Sequence, residues 1–169
     1  MTVPDEAMEN IAPPQPALDP KAPKPAGAED FERLRDPDLT VRGRKSLIDI
    51  AASYIGSCSC RHAYANNCAH FLAHAFIDAG WTELSQANPI FNARCGTKRP
   101  IRAREMRDWF RSVSTSRTNK LDRNTGYWAV FQLDEQVYWG GHVCIVDTDA
   151  WRWYGTGFYP NWTQDAFKW

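Results

Sequence analysis

A cysteine and a histidine in separate parts of the chain are placed to act as a nucleophile and its base. Cys68 follows Asn66 and Asn67, which are natural helix N-caps, and it begins an apolar stripe at helical spacing. The unpaired N–H groups and partial positive charge of a helix N-terminus favour a thiolate and stabilise an oxyanion. His142 follows two glycines and opens an apolar strand. A helix-capping cysteine followed along the chain by a strand histidine predicts a thiol–imidazole catalytic pair.

The imidazole of such a pair is oriented by a third group that accepts its other N–H. A strand that returns after the turn at Asp149 would bring residues 154–156 beside His142, and none of them is Asp, Asn, Gln or His. The sequence therefore does not identify the third residue. The candidates are Asp147, Tyr154, Thr156 and Asn161.

A zinc site is an alternative use of the same side-chain types. The chain offers Cys58, Cys60, Cys95, His62, His70 and His74. It has no C-x-x-C pair, however, and the helix carrying His70 and His74 lacks the glutamate of an H-E-x-x-H motif. We therefore expect no metal and no other cofactor, and we interpret His70 and His74 as polar residues on the flank of a helix.

The disulfide state of Cys58, Cys60 and Cys95 is left open by their spacing. Cys58 and Cys60 are too close in sequence to form an unstrained bridge with each other, but either is free to reach Cys95 in the fold.

The elements that must position the catalytic pair are helices first and strands afterwards. Apolar stripes predict helices over residues 47–55, 68–79 and 102–111. Segments rich in aromatic and β-branched residues predict strands over 127–132, 138–147 and 151–159. This order indicates an α+β fold in which N-terminal helices pack on a C-terminal antiparallel sheet.

Proline and alanine dominate residues 1–28, which predicts a disordered or extended tail without ladder hydrogen bonds. Residues 29–169 then form one domain, which opens with a short helix over 29–35.

The charge balance gives no reason to expect a nucleic-acid partner. Basic and acidic residues number 20 each, so the formal net charge is zero. The chain has neither an apolar run of membrane-spanning length nor an ordinary secretory signal. We expect a protein that is exported by a non-standard route or is otherwise cytoplasmic.

Five segments in one order resemble the NlpC-type cell-wall peptidases, a papain-like superfamily in which the CHAP amidases are near relatives. They are I-D-I-A-A-S-Y-I-G at 48–56, N-C-A-H-F-L-A-H-A-F-I at 67–77, R-P-I-R-A-R-E-M at 99–106, and the segments 126–131 and 141–146. The chain departs from the family pattern at Asn67, where the family has Asp, and at Ala69-His70, where it has Ser-Gly.

The resemblance implies a papain-like fold and hydrolysis of an amide bond in peptidoglycan. It makes Cys68 the nucleophile and His142 the general base, with Tyr64, Asn67 and Gly141 near the substrate or the oxyanion. The substrate is then a peptidoglycan peptide. An antibacterial effector or lysis enzyme acting in the periplasm or cell wall would fit it, with an immunity or inhibitor protein as partner.

Two other functions are compatible with the same residues. One is a non-catalytic papain-like module that binds cell-wall fragments or a partner protein, because no third catalytic residue is evident. The other is a lipid-acyl transferase or thioesterase of the same superfamily, because Asn-Cys-Ala-His-Phe is similar to the N-C-E-H-F motif of that branch. In that branch the histidine precedes the cysteine, whereas His142 follows Cys68.

Overall fold

The computed structural model describes residues 23–25, 27, 46–54, 56–62, 64, 67–134 and 141–168. The helix expected over 29–35 lies outside these residues. None of the helices in the described part of the chain has the length and apolar character needed to cross a membrane.

Three α-helices precede most of the sheet, as the apolar stripes predict. They are α1 (Leu47–Ala52), α2 (Cys68–Asp78) and α3 (Ala103–Val113), with a short 3-10 helix at Thr82–Ser85. A capping box starts α1, because Ser46 Oγ accepts from the Asp49 N–H at 3.2 Å and Asp49 Oδ2 accepts from the Ser46 N–H at 3.3 Å. Helix α1 ends at Ala52 rather than at residue 55.

Six strands form one sheet in the order β1-β5-β4-β3-β6-β2. They are β1 (Lys24–Pro25), β2 (Ser116–Thr118), β3 (Tyr127–Leu133), β4 (Gly141–Asp147), β5 (Arg152–Gly155) and β6 (Thr163–Lys168). Every neighbouring pair is antiparallel except β1 with β5. The predicted α+β class with an antiparallel sheet is thus confirmed, but β2 and β6 were not predicted, and β5 ends before the expected residue 159.

The edge strand β1 corrects the prediction that residues 1–28 make no ladder hydrogen bonds. Lys24 pairs with Arg152, and the Lys24 N–H donates to the Trp151 carbonyl at 3.1 Å. The proline that follows has no N–H to donate, which an edge strand tolerates.

The two faces of the sheet bury separate sets of side chains, because successive residues of a strand point to opposite faces. Val143 and Ile145 of β4 belong to the larger core, which also contains the apolar faces of α1, α2 and α3. Cys144 and Val146 belong to a smaller core on the other side, with Trp128, Val130 and Ala166. The larger core fixes α2 against β4, and it thereby places the first residue of α2 at the beginning of that strand.

Candidate active site

Cys68 is the first residue of α2 and lies against the beginning of β4. Its side chain is 2 % exposed, and its Sγ donates to the Gly141 carbonyl oxygen at 3.7 Å. Gly141 directly precedes His142. The fold therefore brings Cys68, Gly141 and His142 together from segments more than seventy residues apart.

The residue before Cys68 occupies the N-cap position without acting as a cap. Asn67 makes no side-chain hydrogen bond to the helix N-terminus. Its Nδ2 donates to the Tyr64 carbonyl at 2.7 Å, and its Oδ1 accepts from the Tyr64 N–H at 3.1 Å. The side-chain cap expected from Asn67 is therefore wrong, because its amide binds the Tyr64 backbone and fixes the preceding turn instead. The other expected cap, Asn66, lies outside the described residues.

His142 is held in a single tautomer by the backbone. Its Nε2 lies 2.7 Å from the Gly157 carbonyl oxygen. Because a carbonyl oxygen only accepts, Nε2 carries the proton and Nδ1 keeps a lone pair. Burial lowers the pKa of His142 from 6.5 to about 4, although the hydrogen bond to Gly157 raises it. The ring is consequently a neutral imidazole at neutral pH, with the lone pair of Nδ1 available to accept a proton.

The acceptor for His142 is thus a backbone carbonyl rather than any of the four predicted side chains. Asp147 Oδ1 instead accepts from the N–H groups of Asp149 and Ala150 in the following turn. Tyr154 is buried in the larger core, and the remaining two candidates, Thr156 and Asn161, are exposed. In the antiparallel pairing of β4 with β5, Cys144 lies opposite Gly155. The same register, continued by two residues towards the start of β4 and past the end of β5, brings Gly157 opposite His142.

Two further residues that the sequence did not reveal surround the imidazole. The ring of Tyr159 meets the His142 ring edge to face, with centroids 4.9 Å apart. Gln132, directly opposite His142 on β3, donates to the Tyr159 carbonyl and accepts from the Tyr159 N–H, both at 2.8 Å. A Cβ on Gly157 would lie 3.2 Å from Tyr159 Cε2 and 3.6 Å from His142 Cε1, so a side chain there would press on the Tyr159 ring.

Cys68 and His142 approach β4 from different sides. Strand alternation places His142 on the face of Cys144 and Val146, whereas Cys68 belongs to the helix-side core. The thiol reaches the strand at its backbone, beyond the end of β5, which pairs with β4 only from Cys144 onward. This arrangement differs from the expected one, in which α2 presents Cys68 to an imidazole on the sheet face that it covers.

A second group of polar side chains surrounds His70. Ligating atoms of Cys58, Cys60, His70 and Cys95 all lie within 4.8 Å of one another. His70 is fully buried, so its interpretation as a polar flank residue is wrong. The ring of Tyr64 meets the His70 ring edge to face at 5.1 Å, and the Asn67 side chain contacts His70 Nδ1 at 3.3 Å. These two predicted substrate residues therefore belong to this group.

Apart from His142, the two histidines outside this group make other contacts. His74 Nε2 is 3.2 Å from Asp78 Oδ2, and the His62 ring packs on Tyr64 at 4.3 Å. All five cysteines lie within the described residues, and none of them forms a disulfide.

Comparison of the chain with models of known protein families, with curated proteins and with solved structures finds no match.

Proposed function

We propose that the protein is a cysteine-dependent hydrolase that cleaves an amide bond of the peptidoglycan peptide, with Cys68 as nucleophile and His142 as general base. The observation that carries the proposal is the contact of the Cys68 thiol with the residue before His142, at 3.7 Å from Sγ to the Gly141 oxygen. The thiol at the start of α2 contacts the backbone next to a histidine of fixed tautomer, and nucleophilic catalysis by cysteine pairs a thiol with such a base.

The proposed reaction begins with rotation of the thiol away from Gly141. The Cys68 proton passes to Nδ1 of His142, and the thiolate attacks the carbonyl carbon of the substrate. The N–H groups at the start of α2 stabilise the oxyanion. As the C–N bond breaks, His142 returns its proton to the leaving amine. Water, deprotonated by the same Nδ1, then hydrolyses the thioester and regenerates the thiol.

Gly157 acts in this scheme through the imidazole. Its carbonyl oxygen lies 2.7 Å from Nε2 and accepts a hydrogen bond from the Nε2–H group, and it stabilises the imidazolium that forms transiently during the reaction. A non-catalytic binding module was considered because the sequence offers no group to orient His142. The contact with the Gly157 carbonyl supplies such a group and so favours the hydrolase over the binding module.

The substrate class follows from the resemblance to cell-wall peptidases together with the aromatic surface beside the site. Tyr159 contacts His142 and stacks on Trp162, with ring centroids 4.5 Å apart and planes inclined by 14°. Aromatic faces of this kind bind both the apolar parts of a peptide and the ring faces of a sugar. An effector or lysis enzyme that acts in the periplasm or cell wall is the corresponding biological role.

Digestion of purified muropeptides, followed by mass spectrometry of the products, tests the proposal. The wild-type protein should release a fragment whose mass gain of one water identifies the cleaved amide bond. The variant Cys68→Ala should lose at least about 1000-fold in kcat because no thiolate remains to attack. Products cut at the amide bond between the sugar and the peptide would support the same cysteine chemistry with a different bond specificity.

The matched control is Cys144→Ala, which removes a buried thiol two residues from His142 and outside the proposed machinery. It should retain turnover. Equal activity of Cys68→Ala and the wild type, or binding of muropeptides without any product, would refute the hydrolase and favour the binding module.

A further inference from the structure

Three thiols and one imidazole converge at a point separate from the catalytic pair. The ligating atoms of Cys58, Cys60, Cys95 and His70 lie within 4.8 Å of one another. In a tetrahedral zinc site, with Zn–S about 2.3 Å and Zn–N about 2.0–2.1 Å, neighbouring donor atoms are about 3.5–3.8 Å apart. Cys60 Sγ is already 3.4 Å from His70 Nε2. We propose that Cys58, Cys60, Cys95 and His70 bind a zinc ion.

The histidine is oriented for this role by residues outside the cluster. The Asn67 amide is fixed by Tyr64, because its Nδ2 donates to the Tyr64 carbonyl and its Oδ1 accepts from the Tyr64 N–H. The same Oδ1 lies 3.3 Å from His70 Nδ1, so Nδ1 carries the ring proton. The lone pair of Nε2 therefore points to the thiols. Zinc-binding histidines are held by this kind of second hydrogen bond.

The thiols receive the hydrogen bonds that a thiolate needs. Cys58 Sγ accepts from the Cys60 N–H at 3.5 Å and from Arg99 Nη1 at 3.4 Å. Cys60 Sγ accepts from the His62 N–H at 3.5 Å. Zinc requires deprotonated thiols.

The charge and the type of the ligands favour zinc. Three thiolates and a neutral imidazole give a complex with a net charge of −1, and the Arg99 guanidinium at 3.4 Å from Cys58 Sγ balances it. Soft thiolate ligands select zinc over magnesium or calcium. Four protein ligands leave no open position for substrate, so the site is structural rather than catalytic.

The metal would join three segments that are distant in sequence. Cys58 and Cys60 lie in the loop after α1, Cys95 begins a turn closed by a hydrogen bond from the Lys98 N–H at 2.9 Å, and His70 lies in the first turn of α2. His70 is two residues beyond Cys68. The zinc would therefore fix two surface loops to the helix end that carries the nucleophile.

Metal analysis of the purified full-length chain tests this inference. Mass spectrometry of the elements should find about one zinc per chain after dialysis against chelator-free buffer. Cobalt(II) in place of zinc should give the charge-transfer and visible bands of a tetrahedral thiolate site. The variants Cys95→Ser and His70→Ala should lose the metal, whereas the matched control Cys144→Ser should keep it.

Thiol alkylation of the wild-type protein provides a test that does not depend on the folding of a variant. Before treatment with a chelator, Cys58, Cys60 and Cys95 should resist alkylation, and after it all three should be modified. The proposal is wrong if the protein binds neither zinc nor cobalt stoichiometrically, or if the chelator leaves the alkylation of these residues unchanged. A disulfide between Cys95 and either other cysteine in the metal-free native protein would also overturn it.

Discussion

Acidification should destabilise the protein through His142 by an amount that follows from its burial. Burial lowers the pKa of this side chain from 6.5 to about 4 in the folded protein. In the unfolded chain the imidazole is solvated and takes up a proton as the pH falls below about 6.5. Because the unfolded state then binds more protons than the folded state, the free energy of unfolding decreases as the pH falls.

The size of the effect can be worked from the same values. At about 1.36 kcal/mol per pH unit, the interval between 6.5 and about 4 corresponds to a total of about 3.4 kcal/mol. Above pH ~6.5 the free energy of unfolding is not reduced by His142, and by pH ~4 it has fallen by about 3 kcal/mol. This is a large fraction of the stability of a typical domain, which is about 5–15 kcal/mol.

Urea unfolding of the wild type and of His142→Gln at a series of pH values between about 7 and about 4 measures the effect. The variant lacks the titrating group, and all other titrating groups are common to both proteins. The wild type should lose about 3 kcal/mol more than the variant over this range. Parallel pH dependences would refute the reasoning. So would an NMR titration of the His142 ring with a midpoint near 6.5, a readout that does not require the variant to fold.

Two further predictions concern residues around the site and on the unpredicted strand. Gly157→Ala should lower kcat/KM by about 10- to 100-fold, because the new Cβ would lie 3.2 Å from Tyr159 Cε2 and disturb the contacts of the His142 ring. The control is Gly56→Ala, whose new Cβ would meet nothing within 4 Å. Equal kcat/KM values for the two variants would contradict this effect of packing. Asp165→Ala should lower the free energy of unfolding by about 1–2 kcal/mol, because two arginines donate to this buried carboxylate. Chemical denaturation measures the loss, and a cost no larger than that of Asp108→Ala, an exposed carboxylate paired with one arginine, would count against it.

Sequence periodicity was sufficient for the helices and the central strands because these elements bury a continuous apolar face. The stripe that begins at Cys68 predicts α2, and its buried side chains include Leu72 and Phe76. The apolar run after Gly141 predicts β4, in which every residue is buried. The positions of Cys68 and His142 at the starts of these elements could therefore be predicted as well.

The strand β6 has no such pattern. Its apolar residues Ala166 and Phe167 are adjacent rather than alternating, and they follow a carboxylate. Asp165 is buried only because Arg111 and Arg117, about fifty residues away, donate to it. A partner at that distance is invisible to a reading of local periodicity.

The orienting group of His142 escaped prediction for a different reason. It is a main-chain carbonyl, which every residue possesses, so only the pairing register of β4 with β5 selects Gly157. The four residues of the Cys/His cluster were named in the sequence as possible zinc ligands, but a metal was not expected because the first pair is spaced C-x-C rather than C-x-x-C. Tertiary structure, not spacing, brings Cys95 and His70 to that pair.

The place of β6 in the sheet has a consequence for biosynthesis. Although β6 follows the other strands in sequence, it lies between β3 and β2. During translation, β3 would therefore have β4 on one side and no neighbour on the other until residue 168 had left the ribosome. Gln132, which positions Tyr159 beside His142, lies in that unsupported strand and pairs with Gln164. The surroundings of the His142 ring would thus be completed last during synthesis of the chain.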